Sequence, residues 1–338
     1  IGNNAGKGQL NNIILRKKIK SINLYKYNQT GDDIALELKD LSNETTSTYK
    51  TDHQPLLNIS EVAIDQIGKN RYIFNKDHIG NINTSLKLSD QKLLRINAAI
   101  IDSKQRLLSQ SGSTFFSGSE DSIRYSGSDL LLNCSNALQA AVKLENNRER
   151  NFFQTTVKFE TPSVFNNAYT TQNQQAFLQT LKNANFTLSS STTIIKPLTQ
   201  NKILQYESKI SFEKTKETLV IKPGVLKEVL NNNEFYKEIE QKVFDKSFFL
   251  TQSASYRAIT KFGYVACQLQ INHQGNSFVS NTMKTTIDNN KDSLGLNFVN
   301  DISLKKNLYL LQVESFFKLG KSTIAIKLTP GINQVSFN

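Results

Sequence analysis

Three histidines, two cysteines and a scatter of carboxylates are the side chains in this chain that could do chemistry. Histidine is the commonest general base near neutral pH. His53 sits in Thr51-Asp52-His53-Gln54-Pro55, His78 follows Asp77, and His273 precedes Gln274-Gly275. All three read as surface-loop residues, because no Gly-x-Ser-x-Gly elbow positions a nucleophile and no two histidines stand at metal-ligand spacing. Cys134 and Cys267 are far apart and have no histidine nearby, so they make no zinc site and read as small buried apolar residues. The stretch Gly2–Gly8 has three residues between Gly2 and Gly6 where a phosphate loop needs four, and lacks the hydroxyl residue after Lys7. Asp288–Asp292 resembles the start of a calcium loop, but Ser293 and Val299 occupy the places of the turn glycine and the bidentate glutamate. Two carboxylates could hydrolyse a glycoside, yet nothing marks a pair among the 29 acids. The expectation is therefore no enzyme, no metal or cofactor, and no small-molecule substrate.

What the sequence does offer is charge. Lys and Arg number 41 against 29 Asp and Glu, a formal net charge of +12, and such a balance favours anionic partners. Lys7, Arg16, Lys17, Lys18, Lys20 and Lys26 all precede the first acid, Asp32. Residues 1–31 thus read as a basic arm, flexible over its Gly- and Asn-rich residues 1–12, suited to membrane headgroups or packaged nucleic acid. Tyr25 and Tyr27 are its only aromatics, too few for a platform that stacks single-stranded bases. The start at Ile1 fits proteolytic maturation or an upstream segment.

The elements that would position these residues are mostly strands. Period-two alternation marks a strand from Ile34, and further strands are expected at 71–74, 85–88, 93–101, 152–160, 192–195, 203–212, 218–221, 264–272, 294–299, 308–317, 322–327 and 334–337. Residues 109–129, with three Gly-Ser pairs, read as a long loop. Helices are expected in part of Leu130–Arg150, over Thr171–Asn183, and from Pro223 to Lys246, the last with an apolar stripe interrupted at Asn231–Asn233. Strand pairing should stop at Thr161-Pro162, because proline has no N–H to donate.

This pattern predicts a mainly β protein of two jelly-roll or β-sandwich domains, 32–161 and 162–338, with a few short helices in connections. No apolar run approaches the ~18–20 residues of a membrane-spanning helix. The corresponding functional expectation is a structural, self-assembling protein: a virion coat subunit of double jelly-roll type whose partners are copies of itself. The alternative is a bacterial cell-surface or outer-membrane β protein, either an adhesin-like sandwich or a barrel.

Overall fold

The computed structural model describes residues 6–30, 55–59, 73–116, 122–148, 150–172, 175–319 and 322–337. Strands dominate because the sequence alternates. In Lys202–Lys222, Leu204, Tyr206, Ile210 and Phe212 take one side, and Gln205, Glu207, Lys209 and Ser211 take the other. Only an extended backbone separates such sets onto two faces.

Fourteen strands form one open antiparallel sheet. They are β1 (Lys7–Leu15), β2 (Ile19–Asn28), β3 (Ile73–Lys87), β4 (Lys92–Phe116), β5 (Ser122–Arg148), β6 (Asn151–Gln172), β7 (Gln175–Thr199), β8 (Lys202–Lys222), β9 (Glu238–Thr260), β10 (Gly263–Thr285), β11 (Lys291–Ser293), β12 (Val299–Leu319), β13 (Ser322–Leu328) and β14 (Gly331–Phe337). From β1 to β10 each strand pairs with the next in sequence; β12 follows β10, and short β11 pairs only with the end of β10. Strands β13 and β14 both pair with β12 and form one row interrupted at Pro330, whose carbonyl accepts from Leu311 N–H at 3.0 Å. The eight strands β4–β10 and β12 run 21 to 27 residues, far beyond the ~5–6 of a typical strand.

The connections differ at the two ends. At one end they are two to four residues long, at 16–18, 88–91, 149–150, 200–201, 261–262 and 320–321; at the other, 117–121 and 173–174 are short as well, and 29–72, 223–237 and 286–298 are long. At one tight turn Gly263 is required, because an added Cβ would collide with the carbonyl of Phe316.

Several expectations change. The mainly β class holds, but the described strands pair into a single sheet that runs past Thr161-Pro162, with no sign of two sandwiches in its pairing. Pro162 sits inside β6 opposite Ala137; only the ladder to β7 skips, from Glu160 to Ser163. The supposed loop 109–129 is largely strand, the ends of β4 and β5. Leu130–Arg150 is strand as far as Arg148, and Thr171–Asn183 is divided between β6 and β7. Of Pro223–Lys246, only Lys227–Leu230 is helical (α1), and from Glu238 the chain is β9. Positive φ at Asn232 and Asn233 stops the helix after one turn. The strand expected from Ile34 lies outside the described residues.

The buried apolar cluster is small: Leu57, Ile59, Ala168, Leu181 and Val243, with Leu131, Leu219 and Phe278 packed against it. Its strand members share one face of the sheet, near the long-connection end. Segment 55–59 lies on that face, held by the Glu217 carboxylate. This group is 0% exposed and accepts from Leu56 N–H at 3.1 Å, Leu57 N–H at 2.7 Å and Asn183 Nδ2 at 3.1 Å.

Candidate membrane-facing surface

Residues directly opposite in a ladder share a face, so the registers assign every strand residue to one of two surfaces. Following Ile82↔Ala98, Ala98↔Ala140, Ala140↔Phe159, Phe159↔Leu188, Leu188↔Phe212 and Phe212↔Phe248 traces one row across seven strands without meeting a charge. Rows on either side extend it into a belt. The belt comprises Leu94–Ile100 of β4, Leu138–Leu144 of β5, Leu204–Phe212 of β8, Phe248–Tyr256 of β9, Val265–Ile271 of β10 and Tyr309–Phe317 of β12, in alternate residues. It carries no Asp, Glu, Lys or Arg. On β8 it spans the nine residues Leu204–Phe212, framed by Lys202 and Lys214, matching the ~9–11 residues of a strand that crosses a bilayer.

This belt is exposed. Ile100 is 60% and Leu269 59% accessible, and Ile82, Leu188, Ile210 and Ile326 are likewise open. Polar residues take the sheltered side: Asn75, Asn81, Gln139, Thr156, Asn185, Thr215 and Ser253 are all buried on the opposite, polar face. Apart from the Leu57–Val243 cluster and Ile79, Ala99 and Leu107, which are buried on that same polar face, the usual partition of a water-soluble protein is thus inverted. Side-chain oxygens of Asn133, Gln139, Thr156, Asn166 and Asn276 on the polar face have no protein partner, an arrangement that suits a hydrated interior.

At the belt's boundary toward the long connections, aromatic rings line up across five strands. Phe159 and Phe186 meet edge-on at 5.6 Å, Phe186 and Phe212 at 6.1 Å, Phe212 pairs with Phe248, and Phe248 lies 5.9 Å from His273. Immediately beyond them stand Lys214 and Lys246, both over the Phe244 ring, at 5.3 and 4.8 Å. The ladder row that holds Ile100 and Leu138 at one side of the sheet holds Lys214 and Lys246 at the other. The strands therefore cross the belt obliquely, as tilted strands in a barrel wall do.

The six basic residues of the expected arm do not hang free. Lys7 is in β1, Lys20 and Lys26 are in β2, and Arg16, Lys17 and Lys18 form the hairpin between them, closed by Arg16 N–H donating to Ile19 at 2.8 Å. Pairing in register with β2 overrides the Gly- and Asn-rich composition that suggested flexibility. Lys7 and Lys26 lie at one end of the β1–β2 hairpin and Arg16, Lys17, Lys18 and Lys20 at the other, so the six form two groups; Lys17, Lys18 and Lys20 line a cavity of about 590 Å³ with Lys87, Lys92, Arg95, Asp90 and Glu145 at the tight-turn end.

The other chemical candidates separate too. His53 lies outside the described residues. His78 and His273 sit within β3 and β10, not in loops; His78 Nδ1 meets Tyr25 Oη at 2.8 Å and His273 meets Asn307. Both cysteines are free and half-buried on the belt side. Among the described residues no group of three His, Cys, Asp or Glu could hold a metal. Asp288–Asp292 spans a turn in which Asn289 accepts from Lys237 Nζ at 2.7 Å. Away from the belt, Lys222 Nζ contacts Glu238 at 2.7 Å and holds its carboxyl below the ordinary range against the opposing effect of burial, with a hydrogen bond from Thr285 adding to the lowering. The belt is what sequence reading missed. Its signal, alternation bounded by lysines, is present in β8 but becomes a surface only when the strands are placed in register.

No protein-family model and no curated protein matches this chain. No helix among the described residues is long and apolar enough to cross a membrane, which leaves crossing by strands untouched.

Proposed function

We propose that this chain forms wall strands of an outer-membrane-type β-barrel, with the belt against lipid and the polar face toward a hydrated lumen. The observation that carries this reading is the charge-free, exposed apolar belt backed by buried polar residues. Supporting it are neighbour-to-neighbour pairing, short connections throughout one end with the three long ones all at the other, and an aromatic border, all features of such barrels. Strand β1 runs toward the tight-turn end and the β13–β14 row runs away from it, so closure edge to edge, or through an even number of further strands, would be antiparallel. The coat-subunit expectation would require a second sheet or a neighbouring copy over the belt, and nothing among the described residues covers it.

The test is refolding from urea by dilution into detergent micelles or phospholipid vesicles. The barrel reading expects β circular dichroism, protection of the belt strands from protease, and a folded band on unheated gels that shifts on boiling. A monodisperse, detergent-free protein, or one assembling into shells, would refute it.

A further inference from the structure

The apolar belt is not uniform: it is notched at β3–β4, and the notch leads to a cluster of cations. Gly80 and Ala98 leave the floor low between Leu10, Tyr25, Ile82 and Ile100, forming an apolar groove of about 400 Å³. No atom lies within 4 Å of the place a Cβ on Gly80 would take, so the notch is open space. Along the same face, toward the long connections, the next row holds His78 opposite Asp102, the one after it Lys76 opposite Lys104, and the one after that Arg106 opposite Phe74.

This row order has an electrostatic cost. Like charges directly opposite on adjacent strands repel, and Lys76, Lys104 and Arg106 are all exposed on the belt side. Among the described residues none of the three has an ion pair. The neighbouring acid, Asp102, accepts from the Asn136 amide at 2.6 Å when that amide's nitrogen faces it. His78 is oriented by Tyr25 Oη, at 2.8 Å, and by the Tyr27 ring, 4.9 Å away, which places it between groove and cluster. Lys76 and Lys104 lie four residues beyond Gly80 and Ile100, roughly 13 Å along the strand at ~3.3 Å per residue. Strand tilt reduces this to about 10 Å along the bilayer normal. From there a lysine or arginine side chain reaches the headgroup layer beside the hydrocarbon.

Building on the barrel reading, we infer that this groove and cluster form a site for one phosphate-bearing membrane lipid. An acyl chain fills the notch over Gly80 and Ala98, and the phosphate lies between Lys76, Lys104 and Arg106, with His78 at its inner side. The anion removes the Lys76–Lys104 repulsion, and Arg106 offers the two-pronged geometry that suits phosphate oxygens. Charge complementarity next to a continuous apolar surface selects an anionic amphiphile over a soluble anion, which would leave the notch empty.

The experiment uses the whole chain folded in micelles and supplied with equal phosphatidylglycerol and phosphatidylcholine, with retained lipid read by native mass spectrometry. Wild type should retain phosphatidylglycerol preferentially. Lys76→Gln, Lys104→Gln and Arg106→Gln should each cut that preference on the order of five-fold. Gly80→Leu, which fills the notch, should lower retention of both lipids. The pair Lys182→Gln and Lys216→Gln, cations on the same face elsewhere, should change neither. Equal retention of the two lipids by folded wild type overturns the inference and leaves the barrel reading standing, as does an equal loss in the Lys182/Lys216 control. Displacement of the lipid by inorganic phosphate alone would show an anion site with no role for the groove. A chain that never enters micelles or bilayers overturns both readings.

Discussion

Placing a charge on Leu269 distinguishes a lipid-facing belt from a merely exposed one. Leu269 is 59% accessible, mid-belt on β10, between Ala254 and Leu311. In a water-soluble protein, Leu269→Arg at so open a site should fall within about 0.5 kcal/mol of neutral. Against lipid, an arginine near the bilayer midplane costs about 2–4 kcal/mol, on the order of 30- to 700-fold in the folding equilibrium. The neighbour Gln268 faces the other way, into the polar lining shared with Glu207, Arg257 and Glu314. On the barrel proposal Gln268→Arg should therefore cost under about 1 kcal/mol, because a hydrated lumen would keep water beside the charge. Urea titration of both variants in phospholipid vesicles, followed by circular dichroism, gives the two numbers; the chain has no Trp for a fluorescence signal. Equal costs at 268 and 269, or a neutral Leu269→Arg, would refute the assignment of faces.

Three further outcomes follow from particular contacts. Glu217→Ala should free segment 55–59 and cost about 3–5 kcal/mol, since two backbone N–H groups lose a charged acceptor inside the fold; hydrogen exchange at Leu56 and Leu57 reports it, and unchanged protection would contradict the clamp. Gly263→Val should push the start of β10 away from β12 and lower stability by at least about 1–3 kcal/mol, read from the same titrations, whereas a silent change would show that the backbone there yields easily. Because Glu238 is held below its ordinary value of 4.5, its pairing with Lys222 supports the fold above that pH and fades as pH falls through the depressed value. The lysine side chain is 53% accessible, so screening limits the effect to about 0–1 kcal/mol; a Lys222→Met variant should match wild type in acid and trail it slightly at neutral pH, and a deficit that grew on acidification would reverse the argument.

The helices expected from sequence show why part of this fold was hidden. Leu138 and Val142 are four apart, as are Phe177 and Leu181, and Ile239 and Val243. Four residues is just over one helical turn but also two full strand repeats, so such pairs share a face in either structure. Only the neighbours decide, and here Ala140 between Leu138 and Val142, and Gln241 between Ile239 and Val243, lie in ladders with partners on adjacent strands. The lysines of the first 26 residues were legible as a basic cluster, but not their separation. Whether Lys26 is buried or solvated depends on which face β2 shows to β3, more than 40 residues downstream.

By itself the sequence determined that this chain is mainly β, that it alternates, that it is basic, and that it has no recognisable catalytic or metal motif. Alternation is a local property, written in residues two apart, and survives any arrangement of the strands. Which of the two faces meets water is not local. It was decided by the tertiary structure, because the apolar half of each strand becomes a belt only when the registers of β1–β14 align the uncharged rows and place lysines along their border.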